Sequence, residues 1–380
     1  MPAATPISPF LSLKFRFWSF ISMVLLVFVH GYTVEPRYLQ PWTFPQQLPL
    51  GFTSFTEYLL SNGLLRFRIP MLFAISGFLF ALHDSTPHVQ RMRKRVRTLL
   101  VPYFAWSGLM LLFIFALEMH PTTRGWLVTN GLNQMNETKV LLHDYAWSDW
   151  LGRWLVFPAP YQLWFLQALF VLNLVYPLIR MASLSRVGRW GCLFVFMLWL
   201  SNAPLPLIQS DGLIFFTLGV LIQKTAFNLE QPPRWLNPWP WGLLWLAAGA
   251  VKTWLAFGGE DLLGEAVYPL MGQLHKVCIL AGVITAWFGG DGLVRFFMAR
   301  PWFIWLSAFS FMIYVVHAPM VAVLIDPMLR ALSALPDPHL ATFILLPLAL
   351  IATAVLLGVV LRTLAPTLYG WLTGGRGLAG

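Results

Sequence analysis

Residues 18 to 32, WSFISMVLLVFVHGY, form an apolar run that ends close to a titratable side chain, His30. A run of this kind is typical of a helix that crosses a lipid bilayer, which needs about 20 mostly apolar residues. The rest of the chain has the same character, since 58% of its 380 residues are hydrophobic and only 11% are charged. An ordinary soluble domain carries about 25% charged residues. We therefore predict an all-α integral membrane protein.

Ten apolar segments are candidate membrane spans. They lie at roughly 17–34, 57–82, 98–118, 161–181, 188–203, 211–225, 238–257, 267–289, 301–325 and 340–364. The fifth and sixth are short and separated only by SNAPLPLIQSD, so eight or nine crossings are an alternative. We predict one domain over residues 1–380, a polytopic bundle of about ten transmembrane helices, with residues 119–160 as an outer loop or cap.

Orientation in the membrane explains the formal net charge of +10. Most Lys and Arg residues lie in alternate connections between spans, and the positive-inside rule then places both termini in the cytoplasm. A nucleic-acid partner is therefore not needed to explain the positive charge. The first span lacks a basic n-region and a convincing cleavage site, so we expect it to be retained. Cys192 and Cys278 have no neighbouring Cys or His at metal-ligand spacing, and we predict no metal.

A few polar side chains interrupt the spans, where a buried Arg costs about 2.5–3.5 kcal/mol at a helix centre. On the predicted orientation they fall in the outer half of the bundle, and we expect them to meet in one outward-leaning cavity. They are His30, Arg66, Arg68, Gln162, Trp164 and His317.

Each of these polar residues also has a structural interpretation. His30 is either wetted by lipid headgroups or functional. Arg68 precedes Pro70 and either extends to the headgroups or faces a cavity. His317 precedes Pro319, whose ring frees an upstream backbone carbonyl, so its imidazole either satisfies such a carbonyl or serves the cavity.

Two further features have alternative interpretations. Ser76 and Gly77 lie in the middle of a span, where small residues indicate tight helix packing or, as the alternative, room for a thioester to pass. The run RMRKRVR at 91–97 is the densest charge cluster. Contact with membrane lipid headgroups is the default interpretation, and a phosphate-rich ligand such as coenzyme A is the alternative.

Six stretches in sequence order resemble the acyltransferase-3 family of integral membrane acyltransferases, best known as O-acetyltransferases of bacterial polysaccharides. The resemblance covers roughly residues 14–325 and includes a His at the end of the first span, an Arg–Pro–Ser–Gly second span and a basic loop. The stretches are KFRFWSFISMVLLVFVHGY, NGLLRFRIPMLFAISGFLF, RMRKRVRTLLVPYFAW, YQLWFLQALFVLNLVYPLI, DGLIFFTLGVLIQK and SFMIYVVHAP.

The chain departs from the family pattern at two positions. The family has Arg or Lys eleven positions before the His, and here that position is Ser19. Arg16 is a possible substitute because it lies near the His30 face of the same helix, about one turn deeper toward the cytoplasm. Gln167 stands where the family often has Arg. Arg16 or Arg68 would then supply the positive charge that is missing at Ser19.

The resemblance implies transfer of an acyl group from cytoplasmic acyl-CoA to a hydroxyl of an extracytoplasmic glycan or lipid-linked sugar. Acetyl-CoA is the expected donor, with succinyl as the alternative, and the bacterial cytoplasmic (inner) membrane is the expected location. The implied roles are catalysis by His30 and Arg68, coenzyme binding by Arg91, Lys94, Arg97 and Arg16, and substrate binding by Gln162, Trp164, His317 and Ser76.

Two other classes of function are compatible with the composition. A glycan or lipid exporter without acyl-transfer chemistry would also use an outward cavity with Arg and His, but it has no use for a cytoplasmic coenzyme site. A structural assembly subunit explains the apolar spans but not the ordered polar residues within them. The sequence does not indicate an oligomeric state.

Overall fold

The computed structural model describes residues 7–37, 39–45, 48–129, 140–185, 188–203, 205 and 207–378. Within these ranges the chain forms helices and no strand, which confirms the all-α fold class. The α-helices are α1 (Pro9–His30), α2 (Phe52–Tyr58), α3 (Arg68–Leu82), α4 (His88–Arg95), α5 (Val101–Glu118), α6 (Pro121–Thr129), α7 (Trp147–Leu155), α8 (Trp164–Leu174), α9 (Tyr176–Leu184), α10 (Gly188–Leu200), α11 (Ser210–Lys224), α12 (Pro238–Leu263), α13 (Val267–Gly289), α14 (Asp291–Met298), α15 (Pro301–Ser307), α16 (Ser310–Ala331), α17 (Pro338–Leu364) and α18 (Pro366–Thr373).

Helices occupy all ten predicted spans. In the part of the chain that the structure describes, six stretches are long and apolar enough to cross a membrane, or seven if α8 and α9 are counted as one bent span. One of the six, Arg234–Gly289, contains both α12 and α13. These two helices form a hairpin, since Gly289 at the end of α13 lies against Pro238 at the start of α12. The number of crossings and the side of the termini stay predictions.

The predicted ends of the first span were wrong. Helix α1 begins at Pro9 because the Ser8 side chain accepts a hydrogen bond from the backbone N–H of Leu11, 3.0 Å away, and caps the helix. It ends at His30, and a Cβ added to Gly31 would lie 2.8 Å from Cγ of Pro347 in α17. The imidazole is therefore the last side chain of the helix.

Two other predicted spans are interrupted by breaks. Helices α8 and α9 meet at an angle of 57°, because Pro177 has no N–H with which to continue the helical hydrogen bonds. The predicted span 301–325 is split into α15 and α16 by a break at Ala308 and Phe309. An apolar pattern alone does not reveal such breaks, since the residues on both sides are equally hydrophobic.

Helices α3 and α11 pack with their backbones in close contact. A Cβ at Gly77 would lie 2.1 Å from the carbonyl oxygen of Phe216, and a Cβ at Gly219 would lie 2.0 Å from that of Ala74. The interpretation of Gly77 as a tight packing site is therefore confirmed. This contact fixes α3, whose first residue is Arg68, against its neighbour.

The segment after α3 is held by one carboxylate, Asp84. Its oxygens accept hydrogen bonds from Arg91 (3.0 Å), Arg180 (2.8 Å), Tyr176 (2.6 Å) and the Lys224 ammonium. Burial would raise the pKa of Asp84, but the bonds from Lys224, Tyr176 and Arg180 outweigh it and hold the pKa below its ordinary value. One side chain thus connects the ends of α3, α4, α9 and α11.

We expect Gly77→Ala to destabilise the protein by about 1–3 kcal/mol, because the added methyl group collides with the backbone of α11. The thermal unfolding temperature of the purified protein in detergent measures this loss. Gly258→Ala in α12 is the matched control, since no atom lies within 4 Å of the place that a Cβ would take there. An equal effect of the two substitutions would contradict the close contact between α3 and α11.

Candidate active site

A cavity of about 450 Å³ lies among α1, α3, α8, α11, α13 and α16. His30, Arg68, Gln162 and Trp164 all line it, as does Arg66. Residues 37 and 39–42, from the connection between α1 and α2, form a further part of its lining. Five of the six polar residues singled out in the spans therefore meet in one place, and a cavity of this size suits a small ligand.

His30 contacts a residue that the sequence did not single out, Tyr161. The Tyr161 hydroxyl lies 2.9 Å from Nδ1 of His30, and the two rings meet edge to face. No hydrogen bond to Nε2 of His30 is found among the described residues. The imidazole thus has one nitrogen held by a neighbour and one available to a ligand, which is the arrangement of an oriented general base.

Arg68 follows an irregular stretch of backbone. Residues Leu59–Gly63 form a π-helix and Leu64–Phe67 a 3-10 helix, and regular α-helix resumes at Arg68. The Arg68 side chain is buried (4% exposed), and its Nη1 donates to the carbonyl oxygen of Leu65 at 2.8 Å. Its Nε has no partner, and no carboxylate of the described chain lies within salt-bridge distance. Arg68 therefore faces the cavity and does not extend to the surface.

Gln162 ties the start of α8 to α16. Its Nε2 donates to the carbonyl oxygen of Val315 at 2.9 Å, and its own backbone carbonyl accepts from the Tyr314 hydroxyl at 2.6 Å. Val315 lies four residues before Pro319, so its carbonyl is the one that the proline leaves without a helical partner. Gln162, and not His317, satisfies this carbonyl. Tyr161 is thereby fixed beside His30.

His317 does not line the cavity, but its ring centroid lies 5.3 Å from that of His30. Its Nδ1 lies 2.8 Å from the carbonyl oxygen of Tyr314 and 3.1 Å from that of Ile313. Because carbonyl oxygens only accept, Nδ1 carries the ring proton and Nε2 presents a lone pair. That nitrogen is buried, and it has no hydrogen-bond partner among the residues that the structure describes. His317 thus bonds to its own helix and places an unused acceptor next to His30.

The remaining predicted substrate residues differ in position. Trp164 lines the cavity and packs against Phe73, with ring centroids 6.2 Å apart. Ser76 is half-buried and is not among the lining residues. Its predicted contact with substrate stays a prediction.

The sequence analysis missed ionisable residues of the cavity wall on α13 and a lysine behind them. Lys276 and His275 on α13 are buried, at 5% and 4% exposed, and Lys276 pairs with Asp211 at 3.2 Å. Lys252, fully buried behind them, donates to the carbonyl oxygen of Asn62 at 2.6 Å and lies 3.2 Å from Nδ1 of His275. Lysines inside apolar spans were the available signal, by the same argument that identified Arg68.

The basic run divides into structural and exposed cations. Arg91 bonds to Asp84 and lies over the rings of Phe80 (4.5 Å) and Tyr176 (4.9 Å). Lys94 and Arg97 are exposed. Lys94 and Arg97, three positions apart, are therefore the cations of this run that are accessible to a ligand.

Arg16 does not reach the cavity. Its guanidinium donates to the Ser307 hydroxyl (2.9 Å) and to the carbonyl oxygen of Ile304 (2.8 Å), at the end of α15. Fourteen residues of helix separate it from His30, a distance of about 21 Å. Arg68, and not Arg16, is thus the candidate for the missing cation in the His30 cavity. The coenzyme role of Arg16 stays a prediction.

These features define the class of the protein. It is a polytopic helical membrane protein, and a cavity among its helices is lined by a candidate base, His30, and a cation, Arg68. The family model described as an acyltransferase domain matches residues 15–362. The chain therefore belongs to this acyltransferase family, and the resemblance seen in the sequence is confirmed. The match also favours acyl transfer over export.

One curated relative is similar over most of both chains. It is the succinoglycan biosynthesis protein ExoH of Rhizobium meliloti (strain 1021), 25% identical over 281 residues, which are 72% of this chain and 71% of the relative. No solved structure matches the chain. Among the described residues no group of three or more His, Cys, Asp or Glu could hold a metal ion.

We expect Gln162→Met to destabilise the protein by about 1–3 kcal/mol, because the carbonyl of Val315 is then buried without a partner. Unfolding in detergent measures the loss. Gln167→Met is the matched control, since the Gln167 amide makes a longer and more exposed bond, 3.3 Å, to Val156. If Gln162→Met were no more harmful than Gln167→Met, the carbonyl freed by Pro319 would not depend on this amide.

Proposed function

We propose that the protein transfers an acyl group from cytoplasmic acyl-CoA to a hydroxyl of an extracytoplasmic glycan or lipid-linked sugar. The observation that carries the proposal is the shared cavity of His30 and Arg68, with Tyr161 against Nδ1 of the imidazole. Family membership supports a membrane acyltransferase. The name of the relative, a succinoglycan biosynthesis protein, supports a polysaccharide as the acceptor.

In this mechanism His30 is the general base. Nδ1–H donates to the Tyr161 oxygen, which holds the ring, and Nε2 takes the proton of the acceptor hydroxyl. The hydroxyl oxygen attacks the thioester carbon, the carbon–sulfur bond breaks, and the proton passes from His30 to the leaving thiolate of coenzyme A. The products are an ester on the glycan and free coenzyme A.

Arg68 supplies the positive charge for the oxyanion that forms at the thioester carbonyl. A buried guanidinium that has no carboxylate partner in the described part of the chain can direct its donors to this oxygen without a prior ion pair to break. Preorganised donors of this kind contribute about 2.7–4 kcal/mol in other enzymes. The cation that the family carries on its first helix is thereby replaced by one on α3.

The donor approaches from the side of the basic run. Exposed Lys94 and Arg97 bind the phosphates of the coenzyme, as Lys and Arg side chains do in many phosphate sites. The acyl group then reaches the cavity through the bundle, in the bacterial cytoplasmic membrane. Acetyl-CoA and succinyl-CoA are the candidate donors.

His30→Ala is expected to lower acyl transfer at least ~100-fold, since it removes the base. Mass spectrometry of envelope glycans and lipids, with and without the protein, detects the added acyl group and its loss in the variant. Tyr161→Phe keeps the ring but removes the hydroxyl, and should give a smaller loss. Full activity of His30→Ala, expressed at the wild-type level, would exclude His30 from the chemistry.

Lys94→Gln combined with Arg97→Gln should raise the KM for acyl-CoA about tenfold, because two charge-assisted bonds to phosphate are lost. Arg93→Gln is the control, as Arg93 is an exposed cation next to Lys94 on α4. Steady-state kinetics at low salt make the comparison. A KM that is unchanged in the double variant would place the coenzyme elsewhere.

A further inference from the structure

The turn that follows the last helix, residues 374–377, packs directly on the basic run. Its backbone adopts positive φ values, +62° at Gly374 and +74° at Gly377, which glycine accepts without strain. A Cβ at Gly374 would lie 2.8 Å from Cα of Thr98, the residue after the basic run, and a Cβ at Gly377 would lie 2.3 Å from the carbonyl oxygen of Ala308. The turn is therefore fixed between the basic run and the break that separates α15 from α16.

Arg376 lies within this turn and beside the basic run. Its Nη1 donates to the carbonyl oxygens of Thr98 at 2.7 Å and of Thr373 at 2.9 Å. Its guanidinium lies 4.9 Å from the centre of the Phe311 ring in α16. Burial and the neighbouring Arg95 lower the pKa of Arg376 to about 10, so the side chain stays charged at neutral pH. Arg376 is thus a positive charge held in a fixed position at the end of the basic run.

Three arginines meet at the turn, and none of them pairs with a carboxylate in the part of the chain that the structure describes. They are Arg95, Arg362 and Arg376. Arg362 donates through Nη1 to the carbonyl oxygen of Gly377 at 3.2 Å. Backbone carbonyls carry no net charge, so these contacts orient the guanidinium groups without neutralising them. Like charges that are held close together attract an anion to the place where they meet.

The turn lies below the candidate active site, on the side of the basic run. The ring of Phe311, which Arg376 covers, lies 5.7 Å from that of Tyr314, and Tyr314 lines the cavity of His30. Two aromatic rings therefore separate Arg376 from the cavity. In coenzyme A the pantetheine arm separates the phosphates from the thioester. A phosphate site therefore belongs at a distance from His30, as this turn is.

We infer that Arg376 and Arg362 bind the phosphates of the acyl donor, next to the exposed cations of the basic run. The inference rests on the proposed acyl transfer and adds to it two residues that the proposed function does not use. Guanidinium groups form paired hydrogen bonds with phosphate oxygens, and the turn holds these two groups in place before the ligand arrives. Arg376 lies outside residues 15–362, which the family model matches, so family membership does not predict this contact.

Binding of coenzyme A to the purified full-length protein in neutral detergent tests the contact. Arg376→Gln should raise the Kd about tenfold, because a charge-assisted bond to phosphate is lost, and Arg362→Gln should act in the same direction. Arg376→Lys should raise the Kd less. Arg300→Gln is the matched control, since the exposed Arg300 guanidinium also lies 4.9 Å from an aromatic ring, that of Phe296.

The lysine variant separates charge from structure. Gln and Lys can each donate to the carbonyl of Thr98, but only Lys keeps the positive charge, so a merely structural role would make the two variants alike. A larger loss for Arg376→Gln than for Arg376→Lys supports the inference. Equal losses, or a Kd in Arg376→Gln as in the wild type, overturn it and leave acyl transfer intact.

An anionic lipid headgroup offers the same phosphate chemistry, and native mass spectrometry with added phosphatidylglycerol distinguishes it. If Arg376→Gln lowers the retention of this lipid without changing the Kd for coenzyme A, the turn is a headgroup site and the inference is overturned. Unchanged lipid retention together with weaker coenzyme binding supports the inference. A wild-type protein that neither binds coenzyme A nor transfers an acyl group from acyl-CoA would overturn the proposed function itself.

Discussion

The hydrogen bond from the Gln162 amide to the carbonyl of Val315 is the interaction on which the site depends. Pro319 leaves this carbonyl without a helical partner, and in a membrane an unsatisfied carbonyl costs several kcal/mol. The start of α8 is therefore fixed on α16. The same connection holds Tyr161 against Nδ1 of His30 and keeps His317 beside it.

The cation of the site depends on a second irregularity, the π and 3-10 turns before α3. Irregular backbone at membrane depth is tolerated where it is buried or lines a cavity, and here it leads into Arg68. The close contact at Gly77 and Gly219 then fixes the position of α3 against α11. Asp84 anchors its other end, where Arg91 is used for structure while Lys94 and Arg97 stay exposed.

Sequence reasoning identified five residues of the cavity because the bilayer makes each polar residue within a span informative. His30, Arg68, Gln162 and Trp164 were selected in this way, and they line one cavity. Tyr161 gave no such signal, since tyrosine is common at membrane interfaces. The position of Arg16 beside α15 was equally hidden, because helical phase places a residue on a face but does not say which neighbour covers that face.

The sequence by itself determined the helical membrane class, the ten helical segments and the family. The length of each apolar segment and the polar residues that interrupt it depend only on residues close together in the chain. Only the tertiary structure decided that Gln162, and not His317, satisfies the carbonyl freed by Pro319, and that Lys276 faces the same cavity as Arg68. These pairings join residues more than a hundred positions apart, and they depend on which helix faces pack together.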